Sequence, residues 1–396
     1  MTDLRSNPTD EWIEEVRARF PTERTVDRTL TRKLKRRSQP TAPRVTVADL
    51  QRMLQKFLAT SITGPFTISN LRPMSGGASK EQFRFELEWT ENGATLRESL
   101  VLRREPGEAI SETDREREFQ VVTAVQGSIP VAKPYWVDLD GSALGRPAMI
   151  SRFIAGVTKP SSGAGNVSGI GNQYPREYRE LLAPQFIRIL SDIHGFDPTG
   201  RELSAFDMPR ANHSQGNIIA LNWWSRVWYE DRVENTPLMA LTERWLYRNV
   251  PKIDRIALVH GDFRTGNFLF DDATKKITAV LDWELAFFGD RHADLAWTMF
   301  EPFTTRGESG EILICGLIER EHFLAAYEKE SGMPVDLARL DYFTVFMLWK
   351  AIILLLGPGI RAGVGLRSHQ NVLMSWVGGL GYPFLSALRR MMLRLA

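Results

Sequence analysis

The sequence predicts an α+β protein of two lobes: a small antiparallel sheet carrying one helix, joined to a larger, mainly helical partner. Three observations carry this expectation. Residues 82–90 (QFRFELEWT) alternate Phe83, Phe85, Leu87 and Trp89, the period-two pattern of a half-buried strand, and similar short runs continue to about residue 153. Beyond Gly156 the periodicity becomes that of helices. Two short strands, 267–270 and 277–281, interrupt those helices. With 396 residues, 43% of them hydrophobic, the chain can bury a large core, and bulk disorder is excluded.

Taken in order, residues 1–44 form a basic arm in which 28–37 carry six basic side chains, read as a solvated arm or first helix. Residues 46–58 follow as a short amphipathic helix. The sheet lobe is expected over 45–153. After residues 82–90, residues 99–104 form a second alternating strand through Leu100 and Leu102. Residues 111–126 read as a helix, with Ser111 and Asp114 at capping-box spacing and Phe119, Val122 and Val125 near one face. Strands at 133–139 and 148–154 complete the sheet, the first closed by an Asp140-Gly141 turn. The helical lobe is expected over 154–396. It begins with a Gly-, Ser- and Asn-rich insertion at 157–175, then helices at 176–194, 223–249, 320–331, 340–356 and 382–395.

The densest chemistry lies in Leu258-Val259-His260-Gly261-Asp262-Phe263-Arg264-Thr265-Gly266-Asn267, followed by Leu281-Asp282-Trp283-Glu284. Apolar strands flank both, so Asp262, Asn267 and Asp282 can converge at one sheet edge. An acid, an amide five residues later and a second acid on the next strand match the needs of phosphoryl transfer. One carboxylate accepts the proton of the attacking hydroxyl, while the amide and the other carboxylate hold Mg²⁺ against the nucleotide phosphates. Oxygen donors without a cysteine cluster suit Mg²⁺ rather than zinc.

This block resembles the catalytic and metal-binding loops of the aminoglycoside phosphotransferase-like (phosphotransferase enzyme) family, which has a protein-kinase-like fold. The likeness runs on through Gly289-Asp290 and Ala293-Asp294-Leu295-Ala296-Trp297. It implies that Asp262 is the catalytic base, that Asn267 and Asp282 are Mg²⁺ ligands, and that His260 and Asp294 brace the loop. Ser75-Gly76-Gly77-Ala78-Ser79 resembles the family's phosphate-covering loop, placing Ser75, Gly76, Gly77 and Ser79 on the nucleotide. Glu118 fits the helix glutamate that pairs with a strand cation, and 151–154, with Ser151 and Phe153, fits the hinge that reads the base of ATP (or GTP).

One position departs from the general kinase pattern. Val101-Leu102-Arg103-Arg104 puts Arg103 where a phosphate-pairing lysine is expected; arginine keeps the charge with a larger, differently shaped fork. A Leu-Arg-Arg strand is similar to the branch of the family that includes kinase domains fused to acyl-CoA dehydrogenases, as are Trp245-Leu246-x-x-Asn249-x-Pro251 and Asp282-Trp283-Glu284-Leu285. The expected activity is therefore transfer of a γ-phosphoryl group to the hydroxyl of a small acceptor. A nucleotide-binding pseudokinase, motivated by Arg103, and an antibiotic kinase are the alternatives.

Other features exclude or redirect. Gly163 to Gly171 lacks dinucleotide-site spacing, the six histidines lack metal-protease spacing, and His194 reads as structural. Trp223, Trp224, Trp228 and Tyr229 have the spacing of core packing, with a substrate pocket as the other reading. Cys315 is the only cysteine, so no intramolecular disulfide forms. The polar start and the longest apolar run, 342–356, broken by Lys350, lead to an expectation of a cytoplasmic protein without a membrane span or nucleic-acid partner. The formal charge of +2 is a cancellation: residues 342–396 have six basic side chains and no acid. That tail argues against a polycationic acceptor, although Glu230, Asp231, Glu301 and Glu308 offer acids elsewhere. Arg361, Arg367 and the apolar 343–356 helix suit an anionic or acyl-bearing acceptor such as a hydroxyacyl-CoA.

Overall fold

A computed structural model describes residues 3–39, 45–74, 80–91, 93–161, 171–364, 375 and 378–395. The expected glycine loop at Ser75–Ser79, Arg367 and residues 162–170 of the insertion lie outside them. Five strands make the smaller lobe: β1 (Phe66–Pro73), β2 (Glu81–Glu91), β3 (Ala94–Arg104), β4 (Pro134–Asp138) and β5 (Ala148–Arg152), in the antiparallel order β1-β2-β3-β5-β4. Register sorts their side chains onto two faces, because Phe83 pairs with Leu102, Phe85 with Leu100, and Leu102 with Ile150.

That apolar face packs on α3 (Val47–Ala59), whose Leu50, Leu54 and Leu58 recur at helical spacing and are fully buried. A capping box between Thr46 and Asp49 starts the helix. The opposite face carries Gln82, Arg84, Val101, Arg103, Met149 and Ser151, and Arg103 on it meets the larger lobe. The expected helix near 111–126 is α4 (Arg115–Ala124). Asp114 itself is its N-cap, accepting from the N–H groups of Glu116 and Arg117, so the Ser111 capping box does not form.

The larger lobe contains α5 (Arg176–His194), α6 (Gln215–Asp231), α7 (Pro237–Arg248), α8 (His292–Thr298), α9 (Arg320–Ser331), α10 (Leu337–Leu354) and a C-terminal helix, Gly381–Leu395. The single helix expected over 223–249 is two helices. Residues 232–236 separate α6 from α7, and Pro237 starts the second at its first turn, where a missing N–H costs nothing. Short strand pairs line the cleft side: β6 (Ala257–Val259) with β9 (Phe287–Gly289), and β7 (Phe268–Phe270) with β8 (Ile277–Val280). A three-stranded hairpin over residues 305–319 was not foreseen, its strands being two or three residues long.

The helical run Leu337–Gly363 spans 27 residues and holds an 18-residue window of mean hydropathy 1.9, long and apolar enough to cross a bilayer, and longer than the 342–356 run suggested. Its densest apolar window is 83% buried inside the fold, and Phe343, Phe346 and Trp349 belong to the core. It is the central helix of the lobe.

Of the two readings of the basic arm, the helical one holds, and part of its basic face is buried. The arm forms α1 (Asp10–Arg19) and α2 (Arg24–Arg37), and Trp12, Ile13, Val16, Phe20 and Leu34 close a small core against Tyr229 of α6. Trp223, Trp224 and Trp228 are likewise core residues, as their spacing suggested.

Candidate active site

β6 delivers the chain into His260-Gly261-Asp262, and the buried Asp294 of α8 clamps it. One carboxylate oxygen accepts the His260 N–H at 2.7 Å and the other the Gly261 N–H at 2.8 Å. His194 faces the same carboxylate at 3.3 Å and meets the Tyr327 hydroxyl at 2.7 Å through its other nitrogen. Burial pulls both His194 and His260 below the ordinary histidine range, which keeps them neutral. The His260 ring donates from Nε2 to the Leu281 carbonyl (2.9 Å) and accepts the Asp262 N–H at Nδ1 (3.2 Å), so one tautomer serves both. Gly261 has φ +80°, and a Cβ there would lie 2.5 Å from the Leu285 carbonyl oxygen. Glycine is required at that position.

Three donors aim the Asp262 carboxylate. Trp297 Nε1 (2.5 Å) and Arg264 Nε (3.0 Å) reach Oδ1, while Asn267 Nδ2 reaches Oδ2 at 2.6 Å and the Asp262 carbonyl at 2.9 Å. The Leu281 N–H donates to the Asn267 carbonyl at 2.8 Å, so Asp282 follows directly on the residue paired with Asn267. Asp282 adopts the left-handed conformation (φ 58°, ψ 52°), a backbone state held by its surroundings and often found at functional sites. Burial, reinforced by the carboxylates of Glu284, Asp262 and Glu118 and opposed by Arg103, pushes its carboxyl above the usual range.

Beneath the loop lies Lys350 of α10, 3% exposed. Its Nζ donates to the Gly261 carbonyl at 2.9 Å and sits over the rings of Trp297 (4.6 Å) and Trp224 (5.0 Å). Burial lowers this amine to about 8.

From the sheet lobe, Arg103 reaches both helix and loop: Nη1 meets Glu118 at 2.7 Å and Nη2 meets Asp282 at 2.5 Å. Around it lies a buried ion cluster. Lys80 meets Glu105 (2.8 Å), the Ser111 carbonyl (3.2 Å) and Glu284 (3.4 Å). Arg115 pairs with Glu105 at 3.0 Å, Glu284 at 3.5 Å, and Glu118. Buried carboxylates so matched with cations avoid the penalty of an isolated buried charge.

The structure therefore brings together Asp262, Asn267, Asp282, Arg103, Glu118, His260 and Asp294. Ser151 shares the sheet face of Arg103, in register with Val101. The Phe153 N–H is spent on the Ser99 carbonyl (2.8 Å), and its ring carries the Arg84 guanidinium at 3.9 Å, so this amide is not free to read a base. Sequence reasoning gave no role to Lys80, Arg115, Arg264, Trp297 or Lys350. Arg264, two residues after Asp262, and the one cation in the apolar run 342–356 were readable signals.

Three readings of the acceptor region need correction. Glu230 and Asp231 are buried and paired with Lys33, Arg37 and Arg226, leaving no carboxylate there for a polycation. Arg361 donates to the Asp231 carbonyl and the Ser6 hydroxyl, so it is occupied against the N-terminal segment. The 343–356 helix is core, with no acyl-binding face of its own.

As a cation site, Asn267 and Asp282 offer hard oxygens. The amide nitrogen of Asn267 is committed to Asp262, which turns Oδ1 away from it, and the Asp282 side chain keeps 35% of its surface exposed. Among the described residues no group of three or more His, Cys, Asp or Glu is poised for a metal. One carboxylate and one amide suit Mg²⁺ that completes its shell with water and substrate phosphates.

A small antiparallel lobe over a helical lobe, with an Asp, Asn and Asp at the junction, defines a kinase-like phosphotransferase. The chain belongs to the Phosphotransferase enzyme family, whose profile matches residues 70–342. The motif-level resemblance is thereby borne out. It is 25% identical over 340 residues to mouse acyl-CoA dehydrogenase family member 10, covering 82% of this chain and 29% of that protein. It is 26% identical over 340 residues to chicken acyl-CoA dehydrogenase family member 11, covering 81% and 41%. The chain thus spans less than half the length of these relatives. Among solved structures, a putative aminoglycoside phosphotransferase from Ralstonia eutropha JMP134 is similar at TM-score 0.62 and 22% identity, over 86% of this chain and 97% of that one. A thermostable mutant of aminoglycoside phosphotransferase APH(4)-Ia, in ternary complex with ADP and hygromycin B, is similar at TM-score 0.51 and 17% identity, over 85% and 98%. These likenesses show the shared fold.

Proposed function

We propose that the protein transfers the γ-phosphoryl group of ATP or GTP to the hydroxyl of a small acceptor of hydroxyacyl or acyl-CoA type. The observation that carries this reading is the Asp262–Asn267 hydrogen bond at 2.6 Å, together with the Leu281–Asn267 backbone bond that Asp282 directly follows. Asp262, held by Trp297, Arg264 and Asn267, accepts the acceptor's hydroxyl proton as the oxygen attacks phosphorus. Arg264 lies within reach of the same carboxylate and balances its charge until the proton is transferred. Asn267 and Asp282 would hold Mg²⁺, which when bound neutralises charge on the nucleotide phosphates. Arg103, oriented by Glu118, supplies a further cation at the phosphate end. On this reading the segment Ser75–Ser79 covers the phosphates, and the hinge over 151–154, with Ser151 and Phe153, lies against the base through groups other than the Phe153 N–H.

The acceptor class rests on the acyl-CoA dehydrogenase relatives and on the acid-free 342–396 tail. Internal pairing of Glu230 and Asp231 adds to it, because it removes carboxylates a polycation would need. An ATP- and GTP-consumption screen across hydroxyacyl-CoAs, aminoglycosides, macrolides and sugars tests the reading. Turnover on a hydroxyacyl-CoA that drops by about 10²-fold or more in Asp262→Asn, with nucleotide affinity kept, is expected. Undiminished turnover in that variant overturns the mechanism; turnover on kanamycin-type compounds alone overturns the acceptor class. One observation favours a second reading, a nucleotide-binding module without turnover: Arg103 already occupies Asp282 at 2.5 Å. Nucleotide binding with no transfer to any acceptor would select it.

A further inference from the structure

The buried face of α2 carries a polar stripe at four-residue spacing. Thr25, Thr29, Lys33 and Arg37 are each at most 7% exposed. Each meets a different part of the protein. Thr25 donates to the Ala205 carbonyl in the helical lobe (2.8 Å), and Thr29 to Oδ2 of Asp114, the N-cap of α4 (3.0 Å). Lys33 pairs with Glu230 (2.7 Å) and Asp231 (2.9 Å) of α6. Arg37 joins Asp231 (2.7 Å) to Glu108, just ahead of α4 (3.5 Å). The stripe alternates between the helical lobe and the segment that starts α4.

The first turn of α4 receives the densest set of contacts. Arg28 reaches Asp114 (2.8 Å) and Glu116 (2.7 Å) from the arm. Arg117, 3% exposed, meets Glu23 at 2.5 Å and Thr25 at 3.1 Å in the arm, and the carbonyls of Ala205 (3.3 Å) and Ala286 (3.0 Å) in the helical lobe. The next residue is Glu118, which orients Arg103. A helix packing for stability alone requires an apolar face, and α2 has one in Val26, Leu30 and Leu34. The added polar stripe specifies where α4 stands relative to the other lobe.

We propose that residues 23–37 form an intramolecular strap that fixes α4 against the helical lobe, with Arg28 and Thr29 as positioning residues for the Glu118–Arg103 pair. The strap rests on the reading of Arg103 and Glu118 as part of a nucleotide site, and it makes the basic cluster an internal brace. Asp114 permits a selective test, since Oδ1 caps α4 while Oδ2 receives Arg28 and Thr29. Arg28→Ala/Thr29→Val therefore removes the strap's contacts to Asp114 and Glu116 and leaves the cap.

In the full chain, amide exchange over residues 115–124 should speed up about tenfold relative to α5, through the loss of three hydrogen bonds to Asp114 and Glu116. Titrated affinity for Mg·ATP and Mg·GTP should weaken about fivefold or more. Arg28→Lys/Thr29→Ser should restore both. Arg24→Ala, which cuts only the side-chain bond of the same helix to the Ser204 carbonyl (2.6 Å), should leave both unchanged. A lower melting temperature with α4 exchange and nucleotide affinity unaltered overturns the strap as a positioning device. So does faster exchange in α4 with unchanged affinity. Both readouts are independent of turnover, so an inactive protein would defeat the phosphotransferase reading and leave the strap decided on its own terms.

Discussion

Arg103 and Asp282 meet at 2.5 Å across the two lobes, so the strand cation rests on the carboxylate that would face Mg²⁺. The same guanidinium holds Glu118 at 2.7 Å, a two-armed contact that needs the planar fork of arginine. Lysine keeps the charge but replaces the fork with one ammonium, so it cannot hold the two partners from separate nitrogens. Arg103→Lys should therefore lose about tenfold in nucleotide affinity and in turnover, roughly 1.4 kcal/mol. Mg·ATP titration and steady-state rates check this. A gain of turnover would instead identify a module disabled by its arginine.

Lys350 couples three elements of the catalytic loop at once: the Gly261 carbonyl, the Trp297 ring and, through the Trp297 indole, Asp262. With its amine lowered to about 8, it is charged at neutral pH and loses its proton as pH rises through that value. The neutral amine no longer attracts the two indole faces, so activity should fall above about pH 8. Lys350→Met should be slower throughout, with that alkaline fall gone. Between about 8 and the usual 10.5 the unfolded chain binds the proton and the folded one does not. The sign of linkage then makes wild-type stability rise with pH in that window, and the Met variant should lack the rise.

Gly261 combines a positive φ with a carbonyl 2.5 Å from where a Cβ would stand. Gly261→Ala should cost about 1–2 kcal/mol from the left-handed backbone alone, with the clash adding to it. Because the next residue is Asp262, turnover should fall further than nucleotide affinity does. Denaturant unfolding together with kcat and KM separates the two effects.

Asp231 anchors α2 through Lys33 and Arg37, and these cations hold its buried carboxyl down to about 2 against the cost of burial. A depressed carboxyl stabilises the fold above its unfolded value near 3.8, and that stability is lost as pH falls toward about 2. The contribution is on the order of 2 kcal/mol. In acid, α2 should lose amide protection before α10 does, as hydrogen exchange at stepped pH would record. Simultaneous loss would contradict this ordering.

Much of the site was readable because its residues are close in sequence. Asp262 and Asn267 are five apart, so one loop suffices to join them, and the period-two run at 82–90 fixed which side of β2 would be apolar. Where sequence reasoning failed, long-range pairing decided. The 223–249 periodicity continued through a break that Pro237 imposes, and the cluster at 28–37, read as a solvated arm or first helix, gave no sign that Lys33 and Arg37 are buried, because their acidic partners lie far along the chain. Lys350 marked itself as unusual by standing alone among apolar residues, yet nothing local revealed that it reaches Gly261.

By itself, then, the sequence determined the two-lobed α+β plan, the order of most elements and the motif that places this chain in its family, since each follows from local periodicity and short spacings. Only the tertiary structure decided which charges are spent internally. Arg103 lies 179 residues from Asp282, and Lys33 lies 198 from Asp231. A charged side chain's worth depends on what burial sets beside it, and no local pattern encodes a partner at such a distance.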